Sequence, residues 1–192
     1  MDEVAFIGLD GEMSGTDPGR HQLIQIGVSL SLTSYFESNI GWQSFEFERE
    51  ALDAIGRCVS SVRAGPSAAQ VDALLVEWMR LHGMADRKVV PVGWGVSYFD
   101  RPFIARALPR FSAMLHHHSV ELNAVAYALG TTRSYLSRAV GFEGWKRMAK
   151  KIALLQILNT RGTAPNVHDA GDDAIAALLA WHWMTRVIES GE

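Results

Sequence analysis

The stretch from Val4 to Gly15 constrains the chain more than any other. Val4-Ala5-Phe6-Ile7-Gly8-Leu9 runs without a charge straight into Asp10-Gly11-Glu12. An unbroken apolar run this short reads as a strand buried on both faces. Residues two apart in a strand point the same way, so Asp10 and Glu12 stand side by side at its exit, about 7 Å apart along the chain. Two like charges there repel unless a cation sits between them. Hard oxygen ligands in that position suit Mg²⁺ or Mn²⁺. The pair alone is also what a solvated strand end looks like, so the reading depends on the rest of the chain. Gly15 and Asp17-Pro18-Gly19 supply the turn that ends the strand.

At 192 residues a single domain spanning 1–192 is expected, large enough for a substantial core. No apolar run approaches the ~20 residues that cross a bilayer. Asp2 and Glu3 give an acidic start without a basic n-region, so a signal peptide is not expected. Cys58 is the sole cysteine, which excludes an internal disulfide and a cysteine-based zinc cluster. A cytoplasmic location is the resulting expectation. The net charge of -3 conceals a segregation: ten basic residues and two acids lie between Arg101 and Arg161. Bases gathered away from an acidic site suit a polyanionic substrate, although an ordinary solvated surface has the same composition.

Leu23 to Leu32 reads as a second strand, antiparallel to the first, and Gly41 to Phe47, with its aromatics, as a third. Helical residues surround Ala51–Arg57. A better helix opens at Pro66-Ser67 and ends near Gly83, with Val71, Leu74, Leu75, Trp78 and Leu81 at helical spacing. Val89 to Val96 is an apolar strand with glycine near its end, where a ligand or another backbone can come close. Asp100 follows, then a helix from Arg101 to about Leu108 with Pro102 in its first turn. Asp100 is either that helix's cap or a third carboxylate delivered by a strand-to-helix turn. His116-His117-His118 is not expected to bind one ion, because neighbours in a strand point to opposite faces.

Leu122 to Leu129 is helical in composition, and Arg133 to Arg138 is a short linking segment. Trp145 to Leu158 reads as an amphipathic helix, with Met148, Ile152, Leu155 and Leu158 as its apolar spacing. Lys146, Arg147, Lys150 and Lys151 form its basic stripe, either a solvated face or a track for phosphates. Asp169 or Asn166 can cap a long helix over 175–188. Its acidic start, Asp172-Asp173, also offsets the helix dipole.

Three separated pieces together resemble one family, the DEDD exonucleases of the ribonuclease H-like superfamily, in the branch with a histidine in the last motif. The pieces are Asp10-Gly11-Glu12, then Val96-Ser97-Tyr98-Phe99-Asp100, then His168-Asp169-Ala170-Gly171-Asp172-Asp173. The setting of the first, Gly8 to Asp17 followed by Leu23-Ile24-Gln25-Ile26, is most similar to oligoribonuclease. The resemblance covers nearly the whole chain. One departure stands out: many relatives carry an asparagine shortly before the second-motif aspartate, where this chain has Gly93-Trp94-Gly95.

The resemblance implies an α/β fold, a ribonuclease H-like mixed five-stranded sheet flanked by helices. It implies metal-dependent 3′→5′ exonuclease activity that releases nucleoside 5′-monophosphates from single-stranded RNA or DNA with a free 3′ end. RNA or short oligoribonucleotides are the first choice, from the first motif. Two ions, Mg²⁺ or Mn²⁺, are expected. Asp10 bridges them, Glu12 and Asp173 complete the shell of one, and Asp100 serves the other, directly or through water. His168 is the expected general base. Five residues turn a helix by about 140°, so His168 should lie in the lead-in loop while Asp173 is fixed on the helix. Met13, which could equally be core filling, and Ser14 are expected near the 3′-terminal nucleotide. A monomer or homodimer fits the family. The rival readings are a non-catalytic nucleic-acid-binding module on the same fold, whose sign would be a missing carboxylate, and a metal-dependent phosphatase acting on small phosphoesters.

Overall fold

The computed structural model describes residues 5–131, 135–166 and 168–190, with backbone alone at 135–139. Val4 and the start of the Arg133–Arg138 segment lie outside the described residues. Among the described residues, five strands form one sheet in the order β3-β2-β1-β4-β5. They are β1 (Ala5–Met13), β2 (Leu23–Ser29), β3 (Tyr35–Asn39), β4 (Val89–Gly93) and β5 (Val120–Glu121). β1 runs antiparallel to β2 and parallel to β4, β2 and β3 are antiparallel, and β4 and β5 are parallel. The apolar run therefore sits at the centre, as a strand buried on both faces should.

The sheet separates two cores. On one side Ile7, Leu9 and Met13 pack with α3 (Ala68–Leu81), α4 (Arg101–Ala107) and α5 (Pro109–Met114). On the other, Val92 packs with α6 (Leu122–Thr131), α7 (Tyr135–Arg161) and α8 (Ala170–Ser190). Two short helices, α1 (Arg49–Ala54) and α2 (Val59–Arg63), cover a small cluster of Ile24, Leu52 and Val62. Ser67 caps α3 in a reciprocal box with Gln70, which explains why the helix starts where the sequence indicates.

Two glycines set how closely α8 lies on the sheet. A Cβ on Gly8 would stand 1.9 Å from the Ala174 carbonyl oxygen, and one on Gly27 would stand 1.8 Å from that of Ala170. The first turn of α8 thus rests backbone to backbone on β1 and β2. Any side chain at either glycine would lift it away.

Two expectations need correction. The third strand is Tyr35–Asn39, not Gly41–Phe47. Its residues alternate between exposed and half-buried, the pattern of an edge strand. The aromatics of 41–47 pack instead of pairing: Trp42 donates its indole N–H to the Leu23 carbonyl (2.8 Å), and Phe45 lies on the small third cluster. In α7 the buried face is Trp145, Ala149, Ala153 and Ile157, while Met148, Leu155 and Leu158 are exposed. The buried stripe has two alanines at its middle and Trp145 and Ile157 at its ends, while Met148, Leu155 and Leu158 fall on the other side of the helix. The break at Gly141 (φ 66°) divides α7 into a short helical segment and the main helix. The short link of one or two turns before a long helix is therefore as expected, with the main helix starting a few residues before Trp145.

Candidate active site

Four elements deliver side chains to one cavity of about 300 Å³. Its lining includes Asp10, Glu12, Asp100, Asp173, His168 and Lys150. Asp10 and Glu12 stand on the same face of β1 as Gly8, the face against which α8 packs. The close approach at Gly8 therefore brings Asp173, in the first turn of α8, up to the β1 pair. The β1–β2 register slips between Glu12 and Met13, a bulge that re-aims side chains at the strand's exit.

Asp100 arrives from the opposite direction. Gly95 adopts a left-handed conformation (φ 92°) and opens a single π-helical turn over Val96–Asp100. Turns of this kind cost regular hydrogen bonding and recur at functional sites. The turn is pinned from β5: Glu121 accepts N–H bonds from Gly95 (2.9 Å) and Ser97 (2.5 Å). At its end, Asp100 accepts the Gly11 N–H through Oδ1 (2.9 Å), so the carboxylate is tied to β1 beside the acidic pair.

His168 lies two residues before α8 with φ 62°, a left-handed value that histidine tolerates better than most residues. Its N–H donates to Asp173 Oδ2 (3.2 Å). Side-chain atoms of Glu12, His168 and Asp173 that could bind a metal all lie within 4.8 Å of one another. Among the described residues His116, His117 and His118 form no such group. The backbone carbonyls of His116 and His117 accept from Arg101 instead.

The neighbouring acid has a different task. Asp172 pairs with Arg161 and accepts the Asn166 N–H (2.8 Å), which ties the 161–166 loop to α8. Asp169 caps the helix by accepting from Gly171 (3.2 Å) and Asp172 (3.4 Å). Asp173 is thus the member of the Asp172-Asp173 pair that lines the cavity.

The carboxylates oppose one another's ionisation. Burial, then the charges of Asp100, Asp173 and Glu12, hold the Asp10 carboxyl well above its usual range, and Lys150 pulls it down. Glu12 is pushed up to about 7, first by burial and then by Asp173 and Asp100. Asp100 is raised to about 7 by burial, against the favourable Gly11 bond. Asp173 is raised by burial and lowered by Lys150 and His168. Four oxygen-bearing groups in mutual repulsion, with one lysine lining the same cavity, form a donor set that fits hard divalent cations.

Of the residues expected to meet the substrate, Met13 lines a smaller cavity of about 160 Å³ that adjoins the first and shares Glu12, Phe99 and His168 with it. Ser14 is fully buried. Its hydroxyl donates to the Glu46 carbonyl (2.7 Å) and accepts the Gln22 N–H (2.9 Å), and its own N–H donates to the Gln22 carbonyl (2.8 Å). The expectation that Ser14 meets a nucleotide is therefore corrected: its polar groups are spent on the fold. Lys150 enters the cavity, whereas Lys146 stands beside it over Trp94 and Phe142, each at 5.8 Å. Arg147 and Lys151 are exposed. Trp94, Phe99, Leu154 and the turn-pinning Glu121 have no counterpart in the expectations. The glycines flanking Trp94 were the sequence signal of a close approach there.

No protein-family model and no curated protein matches the sequence. Solved structures do match. A zinc-bound complex of Escherichia coli exonuclease I with single-stranded DNA superposes with a TM-score of 0.61 at 16% identity, covering 100% of this chain and 41% of that one. A further exonuclease I structure gives 0.65 at 16% identity, covering 96% and 41%. Cell-death related nuclease 4 gives 0.58 at 14% identity, covering 98% and 66%. The fold is that of exonuclease I. It is the mixed five-stranded, helix-flanked α/β fold expected from the sequence. This chain spans about two-fifths of the length of the exonuclease I chains it matches.

Proposed function

We propose that this protein is a metal-dependent 3′→5′ exonuclease that hydrolyses single-stranded nucleic acid to nucleoside 5′-monophosphates. One observation carries the reading: Asp10, Glu12, Asp100, Asp173 and His168, distant in sequence, line a single cavity. Shared fold with exonuclease I and cell-death related nuclease 4 supports it.

Asp10, Glu12, Asp100 and Asp173 would together hold two divalent cations. When bound, such ions offset charge on the incoming and leaving oxygens of the phosphodiester. His168 takes the proton of the attacking water on an imidazole nitrogen, and its place in an exposed loop leaves it room to reach that water. Met13 and the small cavity beside it receive the 3′-terminal nucleotide. Lys146, Arg147 and Lys151 follow the upstream phosphates. The oligoribonuclease-like first motif favours RNA or short oligoribonucleotides. The exonuclease I structures contain dA16 and dT13 oligonucleotides, which keeps DNA as the second arm of the test.

The test uses 5′-labelled RNA and DNA oligomers, with free or phosphate-blocked 3′ ends, in Mg²⁺, Mn²⁺ or chelator. Stepwise shortening from a free 3′ end, lost with chelator or with the block, is the expected result. Cleavage that persists in chelator, or that starts at the 5′ end, overturns the proposal.

A further inference from the structure

Lys150 differs from the other bases of the α7 stripe. Arg147, Lys150 and Lys151 are all exposed, and Lys146 stands over the same Trp94 ring at 5.8 Å without lining the acidic cavity. Lys150 lines the cavity itself, and its charge acts on Asp10 and Asp173. Its ammonium lies 5.2 Å from the centre of the Trp94 ring, within the range of a cation–π contact. Among the described residues no ion pair within 4.0 Å involves it. Trp94 is itself half-buried against the second core, between two buried glycines, so the ring is a fixed surface. The lysine therefore lines the site beside an aromatic ring and within electrostatic reach of Asp10 and Asp173, without a close ion pair to a carboxylate among the described residues.

We propose that Lys150 contacts the non-bridging oxygens of the scissile phosphate, and that Trp94 is the positioning residue that holds it there. This rests on the nuclease reading above and gives one base of the stripe a catalytic role separate from backbone tracking. As the water oxygen bonds to phosphorus and its proton passes to His168, the bond from phosphorus to the leaving oxygen breaks. That oxygen departs with the bonding pair, as p-nitrophenolate from the ester used below or, from an oligomer, as a 3′-oxygen that takes a proton from solvent. Lys150 forms no covalent bond and keeps its protons. It stabilises the charge on the phosphoryl oxygens, in a cavity that the acids would otherwise make hostile to an anion. A preorganised charge of this kind acts on a substrate that has no upstream nucleotide.

That property gives the test. A nucleoside 5′-monophosphate p-nitrophenyl ester carries one phosphate and nothing upstream. On this ester at saturating Mg²⁺, Lys150→Met should lower kcat roughly 100-fold, Lys150→Arg should recover part of the loss, and Lys150→Met should weaken calorimetric binding of the monophosphate product. Trp94→Leu should lower kcat in the wild-type background and have no further effect beside Lys150→Met, while Trp94→Phe should retain most activity. Three outcomes overturn the proposal: an unchanged kcat for Lys150→Met on the ester, a loss confined to KM for long oligomers, or additive effects of Trp94→Leu and Lys150→Met. Wild-type protein inactive on both ester and oligomers refutes the nuclease reading and this proposal with it. An active wild type with an equally active Lys150→Met refutes only the role given to Lys150.

Discussion

At the scale of single residues, the site is a set of groups each costly where it stands. Glu12 and Asp100 are held near pKa 7 and Asp10 higher than its usual range, chiefly by burial. Carboxylates are kept in such positions when something they bind repays the desolvation. Asp10→Ala and Asp173→Ala should each abolish hydrolysis with the fold retained; turnover above ~1% of wild type in either would reassign the metal ligands. His168→Ala should slow the reaction by roughly 100- to 10,000-fold, the usual loss for a general base, and an unchanged rate moves that role elsewhere. These residues were legible in the sequence because their spacing matches a known pattern. Lys150 was legible only as one of four bases, since nothing in a helical repeat says which base faces a cavity. Glu121 was silent, because it acts on a turn more than twenty residues away, and Trp94 was marked only by its flanking glycines, its partner Lys150 being also distant in sequence.

At the scale of elements, the approach of α8 to β1 assembles the site. Gly8 and Gly27 permit it, and Asp173 is carried with the helix. Gly8→Ala should therefore do two things at once. The added methyl meets a backbone carbonyl that cannot rotate away, so stability should fall by about 1–3 kcal/mol, measured by denaturant unfolding. Asp173 should shift away from Asp10 and Glu12, so divalent-cation affinity should drop as well; a stability loss with unchanged affinity would detach the helix packing from the site. The misplaced third strand and the shifted face of α7 have one cause. Aromatic content and apolar spacing report that side chains are buried, and neighbouring elements decide which ones and how. Trp42 and Phe45 found burial without a ladder. Trp145, Ala149, Ala153 and Ile157 were chosen over Met148 and Leu155 because they share the face that the neighbouring helices cover.

At the scale of the whole molecule, charge is divided between an acidic cleft and a basic helix. Carboxylates raised in the folded state hold protons that the unfolded chain has lost, so without metal, stability is full below about pH 4 for these groups. It should decline as pH rises from there through about 7, where Glu12 and Asp100 ionise. In chelator, Tm should therefore be lower at pH 8 than at pH 5.5, and saturating Mg²⁺ should narrow the difference. Asp10→Asn should raise the metal-free Tm at pH 8, at roughly 2–4 °C for each kcal/mol of relieved repulsion. A flat metal-free profile would mean that the acids do not share one desolvated cavity. On the basic side, Lys146, Arg147 and Lys151 changed together to Met should weaken binding of long oligomers and reduce the slope of log affinity against log salt. Loss of three phosphate contacts lowers that slope by roughly 2 for a single strand, and an unchanged slope would remove these residues from the path of the nucleic acid.

By itself, the sequence determined the central buried strand and the mixed α/β character, and it brought out the four acids and the histidine that line one cavity. Strand periodicity, turn residues and motif spacing are local properties, and local properties survive in a linear string. Tertiary structure decided the rest. It gave Asp172 to Arg161, turned Ser14 inward, and singled out Lys150 among its neighbours. Each of those choices depends on what lies across the gap from a side chain. That is fixed only when α8 settles on two glycines and the π-helical turn is pinned by Glu121.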